Sequence, residues 1–299
     1  MSYAATIGFF DGVHKGHLFL LSELKRTAAV RGLRTLVVTF KEHPRLYLGG
    51  ERPLLLTSTE DRVGLISACG IDDVKVLDFP EVRSMRAVEF MRLLHDKYDV
   101  RTLLMGYDHN FGSDGIRGIE RYSEIGRQSE IDILPVPRAP EGGVSSSKIR
   151  MALLSGDVKT AVEMLGRPYS LTGKVVKGKG VGHSIGFPTA NIQLPENLLV
   201  PRTGVYAVSV LYEDNRYDGV LNIGTNPTLG GQDVSIEVHL LNFEGDLYGK
   251  DIKVELYDFL RSEICFSSLD ELQRQIYEDI IKAQTILPAM VIGQKMNGL

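Results

Sequence analysis

Cysteine is scarce in this sequence, and long apolar runs are missing from it. The 299 residues include two cysteines, Cys69 and Cys265, which lie far apart along the chain. This spacing excludes a disulfide framework and is typical of reduced thiols in a cytoplasmic protein. No stretch is long and apolar enough to cross a bilayer, and the N-terminus lacks the basic segment and apolar run of a signal peptide. The sequence therefore predicts a cytoplasmic protein without a membrane partner.

Positive charge is not in excess either. The chain has 34 lysine and arginine residues against 38 aspartate and glutamate residues, and its formal net charge is −4. Neither half is basic enough to form a nucleic-acid surface, so a bound polyanion has to be held by a local site. Hydrophobic residues make up 43% of the chain, which suits a packed soluble core. We therefore expect small-molecule ligands and no nucleic acid.

The first half of the chain alternates short apolar runs with amphipathic segments. Helical spacing of apolar residues covers residues 17–31, 59–69 and 84–98. The predicted strands cover residues 4–10, 33–40, 74–79, 102–105 and 131–136. This order predicts a parallel α/β sheet with helices on both faces, which binds ligands at the carboxyl ends of its strands.

The second half differs, because glycine and proline punctuate its short strand-like runs. These runs cover residues 175–176, 204–212, 219–223, 235–243 and 253–259. They predict an antiparallel β-barrel closed by one helix, for which Ser268 and Glu271 form a capping box. The apolar stripe predicted for that helix contains Leu272, Ile276, Ile280 and Ile281. The pattern changes near residues 156–170, so we predict one domain over residues 1–165 and another over 166–299.

Residues 8–17, GFFDGVHKGH, connect the first predicted strand to the first helix. A helix N-terminus attracts phosphate, and Gly12 and Gly16 let the backbone approach an anion closely. His14 and His17 can then donate hydrogen bonds to phosphate oxygens, where charge builds up when the α-phosphate of ATP is attacked. The alternatives are ordinary loop histidines and a zinc half-site, which no further cysteine or histidine pattern completes. The position between a strand and a helix favours phosphate chemistry.

Six segments of the chain resemble, in order, the motifs of one known family. GFFDGVHKGH resembles the GxFDGxHxGH signature of the bifunctional bacterial riboflavin kinase/FAD synthetases. The other similar segments are TFKEHPR (39–45), GYDHNFG (106–112), VSSSKIR (144–150), LGRPY (165–169) and GFPTANI (186–192). The chain departs from the family pattern at Glu42, where proline is usual, at His109, where phenylalanine is usual, and at Ser147, where threonine is usual.

For the first domain, the resemblance implies a Rossmann-like nucleotidyltransferase with FMN adenylyltransferase activity and His14 and His17 as catalytic residues. The nucleotide- and phosphate-binding residues that it implies are Gly8, Phe10, Asp11, Gly12, Gly16, Ser145, Ser146, Ser147 and Arg150. The flavin-binding residues that it implies are His43, Asp108 and Asn110. Asp11 is alternatively a turn former, and the serines with Arg150 are alternatively an N-cap cluster and a surface arginine before a helix over 149–154.

For the second domain, the resemblance implies a riboflavin kinase barrel. Thr189 and catalytic Asn191 offer oxygen atoms to Mg²⁺, which prefers a few oxygen ligands together with water and substrate phosphates. A glycine-rich loop precedes them, and its amides can wrap phosphates unless it is a plain hairpin. The phosphate-binding residues of this loop are Gly178, Lys179, Gly180 and Gly182.

Alternation along SIEVHLLNF puts Glu237 and His239 on one face of a strand, opposite Ile236 and Val238. A single glutamate on a strand is most often solvated, but the resemblance assigns Glu237 as the general base of the kinase. It also implies that Arg261 borders the flavin. Asparagines 222 and 226, in NIGTNPT, are expected to shape turns.

The resemblance implies that the chain phosphorylates riboflavin with ATP to FMN, and then transfers AMP from ATP to FMN to give FAD and pyrophosphate. Both steps are expected to use Mg²⁺, with ATP, riboflavin and FMN as substrates. The alternatives are a riboflavin kinase with weak or altered adenylyl transfer, a nucleotidyltransferase for another acceptor such as pantetheine phosphate or nicotinamide mononucleotide, and a non-catalytic flavin-binding module. The sequence leaves the oligomeric state open.

Overall fold

The computed structural model describes residues 1–49, 52–106, 109–140, 142–178, 182, 185–228 and 231–287, with the backbone alone for 226–228 and 231–233. The chain forms two compact units, which divide between Ser145 and Ser146. The first unit contains a parallel sheet and the second a closed barrel. In the part of the chain that is described, no helix is long and apolar enough to span a membrane.

The sheet of the first unit reverses its strand order at β1. Its strands are β1 (Tyr3–Ile7), β2 (Arg34–Phe40), β3 (Asp73–Leu77), β4 (Val100–Gly106) and β5 (Asp132–Val136). Its helices are α1 (Lys15–Arg31), α2 (Thr59–Ala68), α3 (Phe79–Val82), α4 (Ala87–Tyr98) and α5 (Ile119–Gln128), with a 3-10 helix at Pro44–Leu46. The strands pair in parallel in the order β3-β2-β1-β4-β5. The carboxyl end of β1 therefore lies at the switch point, where such sheets bind ligands.

Successive residues of β1 face two different cores. Ala5 and Ile7 pack in one cluster with Met91 of α4, whereas Ala4 packs in another with Leu24 of α1. This alternation follows from the two-residue period of a strand, and it buries both faces of the sheet. The predicted parallel sheet with helices on both faces is confirmed.

The second unit is a closed antiparallel barrel with helices at both ends of its sequence. Its strands are β6 (Tyr169–Val176), β7 (Ala190–Gln193), β8 (Gly204–Tyr212), β9 (Asn215–Thr228), β10 (Gly231–Leu240) and β11 (Asp251–Arg261). Its helices are α6 (Ser146–Ser155), α7 (Val158–Leu165) and α8 (Leu269–Ile286). The strands close in the order β10-β7-β6-β11-β8-β9. The predicted barrel with a C-terminal helix is confirmed.

Helices α6 and α7 belong to the second unit by their contacts. The backbone amide of Arg202 donates to the carbonyl of Leu153 in α6 at 3.0 Å, and Lys159 of α7 pairs with Asp258 of β11 at 3.0 Å. The compact units therefore divide before α6, twenty residues ahead of the predicted domain boundary between residues 165 and 166. That boundary, as the limit of the two activities, stays a prediction.

Helix α8 begins as predicted but buries a different stripe. The Ser268 hydroxyl accepts from the Glu271 amide at 3.2 Å, but the Glu271 carboxylate accepts from the Ser267 amide at 3.0 Å rather than from Ser268. Ile281 is 61% exposed, so its predicted place in the apolar stripe is wrong. The reason is helical phase: Ala283 is the residue that faces the barrel on this turn, and Ile281 lies about 200° away around the helix axis.

Candidate functional sites

The opening turn, residues 8–17, starts earlier than the sequence predicted. Strand β1 ends at Ile7, three residues before the predicted end at residue 10. Phe10, Gly12 and Val13 then adopt positive φ angles of 57°, 77° and 37°. Residues other than glycine rarely adopt this conformation, and functional sites are where such strain concentrates. The turn brings the chain into α1 directly at the switch point of the sheet.

Asp11 fixes the opening turn to a distant segment. Its Oδ1 accepts hydrogen bonds from the backbone amides of Leu56 at 2.9 Å and Thr57 at 3.2 Å. The Thr57 hydroxyl in turn accepts from the Gly12 amide at 3.2 Å. Asp11 is 3% exposed, so this carboxylate is part of the buried framework of the turn. This geometry agrees with the alternative in which Asp11 is a turn former. The contact of Asp11 with nucleotide stays a prediction.

His14 and His17 lie together at the start of α1. Their rings stack with centroids 3.7 Å apart, and His14 Nδ1 accepts from the His17 backbone amide as the N-cap of the helix. Because Nδ1 is the acceptor, the neutral form of the His14 ring carries its proton on Nε2, and its contact with phosphate stays a prediction. A Cβ on Gly16 would lie 3.2 Å from His14 Cε1, which explains why glycine suits this position.

Gly8, Phe10 and His43 also belong to this region. A Cβ on Gly8 would lie 3.0 Å from the ring of Phe10, and that ring contacts His17 edge to face at 5.2 Å. His43 caps the 3-10 helix, where its Nδ1 accepts from the Arg45 amide at 3.1 Å, and its ring lies 4.5 Å from that of Phe9. The structure thus brings His43 beside the opening turn, while the roles predicted for these residues in binding remain predictions.

The departure from the family pattern at Glu42 forms a contact of its own. The Tyr47 hydroxyl donates to the Glu42 carboxylate across the 3-10 helix. This hydrogen bond raises the pKa of Tyr47, with desolvation adding to the effect. Glu42 and Tyr47, on either side of His43, are therefore joined through their side chains. A proline at position 42 would instead restrain the backbone through its fixed φ angle.

A cavity of about 430 Å³ opens at the carboxyl ends of β4 and β5. His109 and Asn110 line it, together with Gly106, Tyr122 and Pro137. The Tyr122 hydroxyl donates to the Phe111 carbonyl at 2.6 Å and accepts from the Phe111 amide at 2.8 Å, so this buried phenol fixes the loop that carries His109 and Asn110. The sequence prediction missed Tyr122, because helix α5 was not predicted. Asp108 lies outside the described residues.

Along the chain, the serine cluster and Arg150 lie where the first unit ends and the second begins. Ser145 ends the first unit, and α6 begins at Ser146, three residues before the predicted start at residue 149. Ser147 and Arg150 lie in the first two turns of this helix. Their contact with triphosphate or pyrophosphate stays a prediction.

In the barrel, Glu237 occupies the centre of a polar row across three strands. It pairs directly with Asn191 of β7 on one side and with Asn222 of β9 on the other. Directly opposed residues in antiparallel strands place their side chains on the same face. The Thr189 hydroxyl also donates to the Glu237 carboxylate at 3.4 Å. The expectation that Asn222 shapes a turn is wrong, since β9 continues through this residue.

A cavity of about 320 Å³ lies against this row. Glu237, Asn222, Thr189 and His239 form polar parts of its wall, and its apolar lining includes Phe187, Val220 and Ile276. His239 Nδ1 donates to the Pro188 carbonyl at 2.8 Å. Together with the bond from Thr189 to Glu237, this contact ties residues 188 and 189 to strand β10. A cavity with both apolar walls and several polar groups suits a planar ring system with a polar tail.

Arg261 lines the same cavity but is held by an ion pair. Its Nε and Nη2 donate to the two carboxylate oxygens of Asp279 in α8 at 3.0 and 2.8 Å. Asp279 is 4% exposed and also accepts from Gln275 at 3.2 Å. Such forked pairs fix the guanidinium plane. The structure brings Arg261 to the predicted pocket, and its contact with flavin stays a prediction.

The glycine-rich loop is described at its two ends. A Cβ on Gly178 would overlap the side chain of Asn191, and Gly182 lines the cavity beside Thr189. Lys179 and Gly180 lie outside the described residues. Within the described ranges, no three His, Cys, Asp or Glu side chains form a metal site. The side-chain oxygens of Thr189 and Asn191 nevertheless fit Mg²⁺, because this ion takes few protein ligands when substrate phosphates supply the others.

Two family models match the chain, one in each part. The FAD synthetase model matches residues 2–148, and the riboflavin kinase model matches residues 165–287. Curated relatives described as bifunctional riboflavin kinase/FMN adenylyltransferase include that of Escherichia coli, 38% identical over 93% of this chain and 91% of its own length. That of Bacillus subtilis is 37% identical over 91% of this chain and 89% of its own.

A solved structure agrees in fold over the same extent. The crystal structure described as a macrolide-efflux protein from Streptococcus pneumoniae has a TM-score of 0.84 at 31% identity, covering 95% of this chain and 94% of its own. The likeness therefore covers both units and the segments that carry the candidate sites. With its parallel sheet, its closed barrel and the relatives that match both, the chain belongs to the bifunctional riboflavin kinase/FMN adenylyltransferase family.

Proposed function

We propose that this chain makes FAD from riboflavin in two steps, one at each candidate site. The second unit phosphorylates riboflavin with ATP, and the first transfers AMP from a second ATP to the resulting FMN. The observation that carries the proposal is the polar row of Asn191, Glu237 and Asn222 beside an apolar cavity, in a chain whose other unit presents two stacked histidines at a helix start.

In the kinase step, the terminal ribityl hydroxyl of riboflavin attacks the γ-phosphorus of ATP. Glu237 accepts the proton of that hydroxyl, the bond between the γ-phosphorus and the bridging oxygen breaks, and ADP leaves. Thr189 and Asn191 would hold Mg²⁺, which neutralises charge on the phosphates when bound. The amides of the loop with Gly178, Lys179, Gly180 and Gly182 bind the phosphates, and Arg261 borders the flavin.

In the adenylyl step, a phosphate oxygen of FMN attacks the α-phosphorus of ATP, and pyrophosphate leaves. His14, His17 and the amides of the opening turn donate hydrogen bonds to the α-phosphate oxygens, where negative charge increases in the transition state. Gly8, Phe10, Asp11, Gly12 and Gly16 shape the phosphate site, and Ser145, Ser146, Ser147 and Arg150 bind the leaving pyrophosphate. His43, Asp108 and Asn110 contact the flavin. Mg²⁺ is proposed for this step as well.

A second candidate function is riboflavin phosphorylation with weak or altered adenylyl transfer. The observation that favours it is the position of two family departures in the first unit, Glu42 beside His43 and His109 in the cavity wall. Adenylyl transfer to another acceptor is a further candidate. In either case we propose a cytoplasmic enzyme that acts on small molecules.

The test is product analysis with purified protein. Riboflavin, ATP and Mg²⁺ are expected to give FMN first and FAD later, and FMN supplied directly is expected to give FAD and pyrophosphate. FMN that accumulates without FAD would contradict the assignment of the first unit and favour the kinase with altered adenylyl transfer. Competition by pantetheine phosphate or nicotinamide mononucleotide at the adenylyl step would favour another acceptor.

A further inference from the structure

A buried arginine lies behind the opening turn. Arg62 of α2 is 0% exposed, and its guanidinium carbon lies 4.1 Å from the centroid of the Phe9 ring. Its Nη2 donates to the Phe40 carbonyl at 2.6 Å, at the end of β2, and to the Thr59 hydroxyl at 3.4 Å. One side chain therefore joins the end of β2, the start of α2 and the opening turn.

Burial of this charge is unfavourable by itself. Desolvation lowers the pKa of Arg62 to about 10, while the nearby carboxylates of Asp11 and Glu60 act in the opposite direction. Among the described residues, Nε and Nη1 of Arg62 have no hydrogen-bond partner. Buried donors without partners and buried charges both cost stability, and the hydrogen bonds to Phe40 and Thr59 with the attraction of Asp11 and Glu60 offset only part of that cost, since the pKa of Arg62 still falls. Stability alone therefore does not account for an arginine at this position.

The ring that Arg62 contacts is part of the candidate adenylyl site. Phe9 is the second residue of the opening turn, and its carbonyl accepts from the Thr39 hydroxyl at 3.1 Å. Its ring also contacts the ring of His43, with centroids 4.5 Å apart. Arg62, Phe9 and His43 thus form a chain of contacts from the buried face of α2 to the predicted flavin side of the site.

We infer that Arg62 is a positioning residue for adenylyl transfer, which fixes Phe9 and, through it, His43 and the opening turn in the reactive geometry. The inference rests on the function proposed for the first unit. A planar cation suits this task, because it lies against the ring face while its N–H groups reach a backbone carbonyl. Small displacements of groups that orient substrates cost large factors in rate, so loss of the contact is expected to lower kcat.

The experiment compares Arg62→Met, Arg62→Lys and Phe9→Leu in the full chain. Arg62→Met is expected to lower kcat for FAD formation from FMN by about tenfold or more, and Arg62→Lys is expected to recover part of it. Riboflavin phosphorylation by the second unit serves as the internal standard and stays unchanged. In the Phe9→Leu background, Arg62→Met is expected to cost less than about twofold more, because both substitutions break the same contact.

A matched control is Arg34→Met in the same unit. The Arg34 guanidinium lies 5.2 Å from the Tyr3 ring and pairs with Asp73 at 2.8 Å, but at the amino ends of β1 and β2, away from the opening turn. This variant is expected to keep both activities within about twofold of wild type.

A kcat within twofold of wild type for Arg62→Met, or multiplicative losses in the double variant with Phe9→Leu, would overturn the inference. If Arg62→Met does not fold, Phe9→Leu carries the test, and an unchanged kcat there has the same meaning. If the wild-type protein forms FMN but no FAD, the proposal of adenylyl transfer and this inference are both overturned. If the wild-type protein forms FAD and the Arg62 variants form it at the same rate, the inference alone is overturned.

Discussion

Glu237 and Asn222 face each other directly across strands β10 and β9 of the barrel. The register places Glu237 between two asparagines, since Asn191 opposes it on the other neighbouring strand. A neutral amide on each side can orient a carboxylate by hydrogen bonding without cancelling its charge, as a salt bridge would. The row is built on three strands of a closed barrel, so its geometry is set by the sheet rather than by a loop.

Glu237→Gln is expected to abolish FMN formation. The amide has nearly the same shape as the carboxylate but cannot accept the proton of the ribityl hydroxyl, so we expect the rate to fall by about a hundredfold to ten-thousandfold. The rate of FAD formation from added FMN is expected to stay unchanged, which also reports that the chain is folded. Glu244→Gln, at an exposed position after β10, is the matched control. Riboflavin phosphorylation at the wild-type rate in Glu237→Gln would remove the assigned base.

Asn222→Ala is expected to lower kcat of the kinase by about tenfold or more, because the loss of one of the flanking amides leaves the Glu237 carboxylate less well oriented. Asn222→Asp is expected to be worse, since a second carboxylate directly opposite the first repels it and disfavours its charged form. Asn215→Ala, exposed at the start of the same strand, is the control. The measurement is the steady-state rate of riboflavin phosphorylation. Equal rates for the alanine and aspartate variants would contradict this electrostatic account.

The same residue shows where the sequence pattern was misleading. NIGTNPT resembles turn-forming sequence, yet β9 runs through it from Asn215 to Thr228. A Cβ on Gly224 would lie 2.6 Å from Glu263 Oε1, at the end of an exposed side chain that can move aside. A glycine inside a strand can mark a close approach of another segment, but the sequence does not say which segment approaches. The strand face that Glu237 occupies was predictable, because its two-residue alternation with buried Val238 is local, whereas its role as a base came from the family resemblance.

In the first unit, the five strands and helices α1, α2 and α4 followed from periodicity, but α5 and the framework of the opening turn did not. Asp11 binds Leu56 and Thr57, 45 and 46 residues further along the chain, and no local pattern reports that pairing. Arg62 carried a signal that was not used, since it lies four residues before Ile66 and therefore on the buried face of α2. A charged residue at the helical spacing of buried apolar residues indicates a buried charge, and here it indicated Arg62.

Replacing both His14 and His17 with alanine is expected to lower the rate of FAD formation from FMN and ATP by about a thousandfold or more. Loss of a single fixed donor to a developing oxyanion costs about a hundredfold to a thousandfold, and the two rings also stack on each other, so their effects are not independent. His95→Ala is the matched control, because this histidine of the same unit lies near the end of α4, where its ring contacts Asp96. Riboflavin phosphorylation is measured in parallel and is expected to remain at the wild-type rate. Undiminished FAD formation in the double variant would contradict the proposed chemistry of the opening turn.

Gly178→Ala is expected to impair the kinase without unfolding the chain. A Cβ at this exposed glycine would overlap the Asn191 side chain, and the amide is the part that can move. Displacing it removes one flank of Glu237 and an oxygen offered to Mg²⁺, so we expect a higher Mg²⁺ requirement and a kcat lower by about tenfold. Gly64→Ala is the control, because nothing lies within 4 Å of its Cβ position in α2. That substitution is expected to raise the free energy of unfolding by about 0.5–1 kcal/mol and to leave both rates unchanged. Equal kinase rates and equal Mg²⁺ dependence in the two variants would contradict this prediction. They would show that a side chain at position 178 does not displace Asn191, or that the position of the Asn191 amide does not matter for the kinase.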